Sequence, residues 1–183
     1  PPVHRRARLG MGRTFQRIEL FAGMTVRDHL LVAERARRAD GGLLKDLLGR
    51  SVPSGDERAR AAATLSLLGL EDVADRPIES LSLGRGRLVE LGRALMIEPT
   101  LLLLDEPSSG LDHRETDEMA EVLDTIRAER GTAILLVEHD VAMVRKVTSR
   151  LYVLDFGHLI AQGATADVIA DAAVRQAYLG DTV

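Results

Sequence analysis

The chain has 183 residues, 45% hydrophobic but only 3% aromatic, with a formal net charge of −4. That length suits one domain with a sub-domain and an aliphatic core, and the acidic balance speaks against a nucleic-acid partner, which normally meets a basic face. The absence of cysteine excludes disulfides and thiolate chemistry, and no apolar run approaches the ~20 residues of a membrane helix.

Near the start, Gly10-Met11-Gly12-Arg13-Thr14 is the nearest imitation of a phosphate-binding loop. It lacks the spacing and the lysine of G-x-x-x-x-G-K-[ST], and Lys45 and Lys146, the only lysines, follow no glycine. Met24-Thr25-Val26-Arg27-Asp28 predicts a helix start with a T-x-x-D cap, carrying Leu30, Leu31 and Ala33 at helical spacing. Residues 41–55 mix Gly, Pro and Ser with Leu43, Leu44, Leu47 and Leu48, which predicts a short amphipathic helix between loops. Residues 56–68 read as helix, stopped by Gly69. Ser82 then caps a helix with Leu88, Val89, Leu91 and Leu95 that runs towards Glu98-Pro99.

The second half changes character. Residues 101–104 are four leucines, a buried strand that delivers Asp105 and Glu106 at its C-terminal end. Ligands collect at such ends in open α/β sheets. A helix over 113–128 carries Met119, Val122, Leu123 and Ile126 and ends near Gly131. A strand over 133–137 precedes a helix with Val141 and Val144. Residues 151–154 and 159–161 flank Asp155-Phe156-Gly157-His158 as a hairpin, and helices over 166–169 and 174–178 close the chain. This alternation predicts an α/β fold with a parallel sheet and helices on its faces.

Each candidate residue also has a plain structural role open to it. A leucine strand can end in two solvated acids, and a lone His139 after a strand can be a satisfied surface group. Ser82 and Asp112 are good helix N-caps, Gln16 suits a surface, and Phe21 and Met24 suit a core. His4, His29, His113 and His158 match no catalytic pattern.

Taken together, five motifs stand in one order: Thr14-Phe15-Gln16, Leu81-Ser82-Leu83-Gly84-Arg85, Asp105-Glu106-Pro107, Ser109-Gly110-Leu111-Asp112 and Val137-Glu138-His139-Asp140. They resemble the Q-loop, signature motif, Walker B, D-loop and switch histidine of the nucleotide-binding subunit of ABC transporters, across essentially the whole chain. The resemblance implies the P-loop NTPase fold, with an incomplete parallel sheet flanked by helices. A helical sub-domain is expected over residues 17–97 and an α/β core with C-terminal helices over 98–183.

It implies ATP and Mg²⁺ as ligands. Asp105 is then the Mg²⁺ ligand, Gln16 reaches the metal and the attacking water, and Glu106 is the general base or orients that water. His139 contacts the γ-phosphate. Ser82 and Gly84 face the γ-phosphate of ATP held by a second subunit, so that a two-fold dimer forms two composite sites, and Asp112 lies where the D-loop crosses that interface. A membrane permease is expected to dock on the Gln16 loop, with Phe21 and Met24 facing it. This puts the subunit on the cytoplasmic face of the membrane as a peripheral component.

Arg85 stands where the family carries glutamine, which leaves a contact to nucleotide and a weakened dimer both open. The missing phosphate-binding loop implies a chain lacking its opening strand–loop–helix unit, a fragment expected to bind Mg-ATP weakly and to be inactive alone. An apolar sheet edge along residues 101–104 and poor solubility are expected with it. A catalytically degenerate module that pairs with a competent subunit is the rival expectation, and a soluble ATPase acting on DNA or ribosomes fits the acidic charge less well.

Within the family, Arg13 to Gln16 with Leu20-Phe21 and Met24-Thr25-Val26, the Val137 to Asp140 stretch, and the tail Gly157-His158-Leu159-Ile160-Ala161-Gln162-Gly163 to Ala177-Tyr178-Leu179-Gly180 most resemble importers of branched-chain amino acids.

Overall fold

The computed structural model describes residues 6–7, 9–14, 20–38 and 53–179. Gln16 and most of the amphipathic helix expected over 41–55 lie outside them. The chain divides into two units, Pro1–Glu138 and His139–Val183.

In the first unit, helix α1 (Val26–Arg38) begins where the T-x-x-D pattern predicts. The Thr25 hydroxyl donates to Asp28 Oδ2 at 2.7 Å and accepts from the Asp28 N–H at 3.2 Å, satisfying groups that a helix start leaves open. Helix α2 (Gly55–Leu67) carries a full capping box between Ser54 and Glu57. It is closed by Gly69, whose φ of 62° is the left-handed position that favours glycine. Helix α3 (Leu83–Leu95) is capped by Ser82 and buried along most of its length. It stops short of Glu98-Pro99, because Glu98 turns the chain at φ 52° and the residue before proline avoids the helical region.

Helix α3 packs on α1 and α2. The approach is closest at Gly92, where a Cβ would meet Leu68 Cδ1 at 2.8 Å and Leu30 Cδ2 at 2.9 Å. Ion pairs tie α1 to α2: Arg35 Nε lies 3.7 Å from Glu57 Oε1, and Arg60 Nη2 lies 3.1 Å from Glu34 Oε1, a carboxylate whose side chain has no solvent exposure. Such a carboxylate needs its cation to remain charged.

Strands β1 (Met11–Arg13), β2 (Leu101–Asp105) and β3 (Ala133–Val137) form a parallel sheet in the order β1-β2-β3. Helix α4 (His113–Arg130) makes the crossover from β2 to β3, as parallel neighbours require. Leu102 and Leu104 are buried beneath the sheet, and Met119, Leu123 and Ile126 of α4 join the core. Strand β1 escaped the sequence reading because three residues, one of them glycine, carry no periodic signal. It also overturns the expected open edge along residues 101–104, since β2 is the central strand with partners on both sides. The apolar exposure falls instead on β3, where Leu135 and Val137 are 56% and 57% exposed.

In the second unit, helix α5 (Val141–Val147) is capped by Asp140, whose Oδ1 accepts from the N–H groups of Ala142 and Met143. Strands β4 (Arg150–Asp155) and β5 (His158–Ala164) form the expected hairpin, longer at both ends than predicted. Its two-residue turn places Phe156 at φ 43° and Gly157 at φ 82°, the pair of left-handed residues that suits strand twist. Helix α6 (Thr165–Ala170) and a single turn over 172–174 follow, and the Tyr178 hydroxyl donates to the Leu154 carbonyl. Among the described residues, no helix is long and apolar enough to cross a membrane.

His29 shows how a histidine outside any motif is used. It is 1% exposed. Its Nδ1 lies 2.8 Å from the Thr25 carbonyl, and its Nε2 accepts from the Phe21 N–H at 2.9 Å. A carbonyl only accepts, so the proton sits on Nδ1 and the ring is neutral. Burial holds its pKa below the ordinary value of 6.5, with the Arg93 charge adding to that and the Thr25 carbonyl opposing it. A group with a depressed pKa in the folded state favours the fold fully above the unfolded pKa of about 6.5. That contribution is lost as pH falls from there through the folded-state value. Urea unfolding between neutral pH and pH 5 is expected to show falling stability, with a shallower dependence in His29→Asn. Equal slopes in the two proteins would count against this account.

Candidate functional site

The site is built where β2 ends. Asp105 closes the strand and pairs in register with Val137 of β3. Glu106 follows in the left-handed region at φ 46°, uncommon for any residue but glycine and of interest where acids are displayed. The Glu106 N–H donates to the Val137 carbonyl at 2.9 Å, so the turn begins by leaning on the neighbouring strand. Arg13 of β1 reaches Asp105 from the other side, with Nη2 3.7 Å from Oδ2. Their side chains are 56% and 39% exposed, so the pair is weak and open to exchange for a ligand.

From Glu106 the chain loops through residues 107–112 into α4, and this loop is pinned along its length. The Ser109 N–H bonds the Glu106 carbonyl at 3.1 Å and the Leu111 N–H bonds the Ser108 carbonyl at 3.0 Å. Ser108 donates both its N–H and its hydroxyl to Glu138. Arg87 of α3, itself buried, donates to the Ser109 carbonyl at 3.4 Å. Gly110 at φ 81° lets the loop pass close to Leu83, whose Cδ2 would meet a Cβ there at 2.9 Å.

The loop ends at Asp112, the N-cap of α4, in a capping box with Glu115. Glu115 does more than cap. Its Oε1 accepts from the Ser82 hydroxyl at 3.1 Å, and its Oε2 accepts from the Asp112 N–H at 3.4 Å. A Cβ on Gly84 would lie 2.7 Å from its Cδ and Oε1. Ser82, Gly84 and Asp112 therefore meet around one carboxylate. An alanine at position 84 would push that carboxylate off both partners.

Arg85 points away from this cluster. Its Nη1 donates to Asp72 Oδ2 at 2.8 Å, and that bond holds the Asp72 carboxyl below its usual range. Of the other expected site residues, His139 is exposed and opens the second unit, and Gln16 lies outside the described residues. The sequence reading attached no role to Glu115, Ser108, Glu138, Arg87 or Asp72. The D-x-x-E spacing of Asp112 and Glu115 was a legible cue; the others have partners distant in sequence.

The residues present fit a magnesium ion. Among the described residues no group of three or more His, Asp or Glu side chains is placed to hold a metal. Mg²⁺ takes one or two carboxylates and completes its shell with phosphate oxygens and water, and Asp105, 39% exposed at the end of β2, would supply one such carboxylate.

Comparison with known proteins gives a consistent picture. The ABC transporter family model matches residues 2–109. LivG of Salmonella typhimurium, a high-affinity branched-chain amino acid transport ATP-binding protein, is 38% identical over 98% of this chain and 71% of its own length. LptB of Escherichia coli K12, a lipopolysaccharide export system ATP-binding protein, is 32% identical over 98% of this chain and 69% of its own. The solved ADP conformation of an ATP-binding cassette of an ABC transporter superposes with a TM-score of 0.76 at 29% identity, covering 97% of this chain and 71% of that one.

Proposed function

The chain belongs to the ABC transporter family of ATP-binding domains, and from that premise we propose that it is the ATP-hydrolysing subunit of an importer for branched-chain amino acids. The observation that carries the proposal is the turn closing β2, where Asp105 and Glu106 stand side by side with Glu106 at φ 46°. The likeness to LivG at 38% identity supports the solute class.

In this proposal the helical sub-domain spans about residues 17–97 and the α/β core 98–183. Asp105 and Gln16 hold Mg²⁺, which when bound offsets charge on the β- and γ-phosphate oxygens. Glu106 orients the attacking water and takes its proton. His139 contacts the γ-phosphate. Ser82 and Gly84, at the N-terminus of α3, close on ATP held by a second subunit, because a helix start presents unpaired N–H groups to anions. Asp112 lies at the crossing between subunits. The Gln16 loop passes closure to a permease, which keeps the subunit at the cytoplasmic face of the membrane. Catalysis then comes from positioning and charge stabilisation more than from covalent chemistry. Arg85 is engaged by Asp72 at 2.8 Å, so its departure from the family pattern has a local structural account and does not favour a degenerate module.

The test is reconstitution with the permease and solute-binding protein in liposomes. Leucine, isoleucine or valine presented on the binding-protein side is expected to accelerate ATP hydrolysis and to accumulate across the membrane. Hydrolysis indifferent to these amino acids, or coupled to outward lipid movement, would overturn the importer assignment.

A further inference from the structure

We propose that Glu138 is a positioning residue for Glu106, acting through Ser108. The inference rests on the role given to Glu106 under Proposed function and deepens it.

Glu138 directly follows the last residue of β3. Its Oε1 accepts the Ser108 N–H at 2.8 Å and the Ser108 hydroxyl at 2.5 Å. Two donors from one residue converging on one oxygen fix both the backbone and the χ1 rotamer of Ser108. Carboxylate acceptors make such bonds shorter and stronger than neutral ones. Ser108 is 7% exposed, so water cannot readily take over as its partner.

One residue earlier, at the last position of β3, the Val137 carbonyl accepts the Glu106 N–H at 2.9 Å. Consecutive residues at the end of β3 thus hold residues 106 and 108, the two flanks of Pro107. Between those anchors Glu106 keeps φ 46°, a conformation that an L residue leaves unless its surroundings hold it. A glutamate spent only on capping Ser108 would stabilise the loop. A glutamate that fixes the direction of Glu106 would also set the rate of the step Glu106 performs. The two roles are separable by experiment.

The measurement is made on the assembled transporter containing Glu138→Ala, Glu138→Gln or Ser108→Ala. Glu138→Ala is expected to lower kcat by about 10- to 100-fold, the cost of a misplaced group, while KM for ATP stays within about twofold. Glu138→Gln keeps an acceptor oxygen for both donors and is expected to recover most of kcat. Backbone exchange at Glu106 and Ser108 should quicken in the alanine variant and return in the glutamine variant. Unchanged kcat and exchange in Glu138→Ala would overturn the inference, as would a loss of thermal stability with kcat intact. Should Glu138→Ala not fold, Ser108→Ala removes the hydroxyl donor alone and must itself lower kcat without moving KM. Glu106→Gln, measured alongside, separates the two levels. If it retains turnover, the role of Glu106 has failed. If it loses turnover while the Glu138 and Ser108 variants do not, only the positioning role has failed.

Discussion

Replacing Glu106 by glutamine is expected to leave nucleotide binding by the assembled transporter intact and to lower turnover by about 10²- to 10⁴-fold, the contribution of a positioned general base. Glutamine has the same shape and can keep the Glu106 backbone as it stands. The N–H bond to the Val137 carbonyl at 2.9 Å and the φ of 46° make no demand on the side-chain charge. The substitution therefore removes the carboxylate that would take the proton while keeping the side chain's length and shape. Phosphate release gives kcat and calorimetry gives nucleotide affinity. Undiminished turnover would sink the base assignment, and lost affinity would move Glu106 from chemistry to binding.

Leu102→Ala is expected to destabilise the fold by about 2–5 kcal/mol, the range for deleting a buried leucine side chain. Leu102 has no solvent exposure and lies in β2, the middle strand of the sheet, in register with Gly12 on one side and Ile134 on the other. A Cβ on Gly12 would lie 3.2 Å from Leu102 Cδ1, so strand β1 is already close against it. Strands held by ladders on both sides cannot sink into the cavity, which puts the cost towards the upper end. Urea denaturation measures it, with Leu101→Ala at the half-buried end of the strand as the milder comparison. A loss below about 1 kcal/mol would mean that the site collapses after all.

Much of the site was legible because its elements are local. The leucine run before Asp105 and Glu106 suits a strand by its length and apolar composition, and the structure buries Leu102 and Leu104 of it. The Thr25-x-x-Asp28, Ser82 and Asp112 caps are short-range patterns whose hydrogen bonds the structure contains. The hairpin turn at Phe156-Gly157 needed only the glycine and its flanks. Even the family could be named from ordered motifs, since each keeps its chemistry within a few residues.

What sequence could not supply were partnerships made across the fold. Asp72 meets Arg85, Arg60 meets Glu34, Ser108 meets Glu138 and Ser82 meets Glu115, none within a helical turn of its partner. Strand β1 exists only because β2 offers it a ladder; three residues have no β-signal of their own. That ladder also moved the open apolar edge from β2 to β3. The chain's own pattern determined which acids, caps and apolar faces are available, since these follow from spacing along one backbone. Only tertiary packing decided how they are held: Glu106 in a left-handed turn against β3, Ser82 on Glu115, and Arg85 turned aside to Asp72. Hydrogen bonds and ion pairs between distant segments depend on where the folded backbone brings them, and no local propensity encodes that.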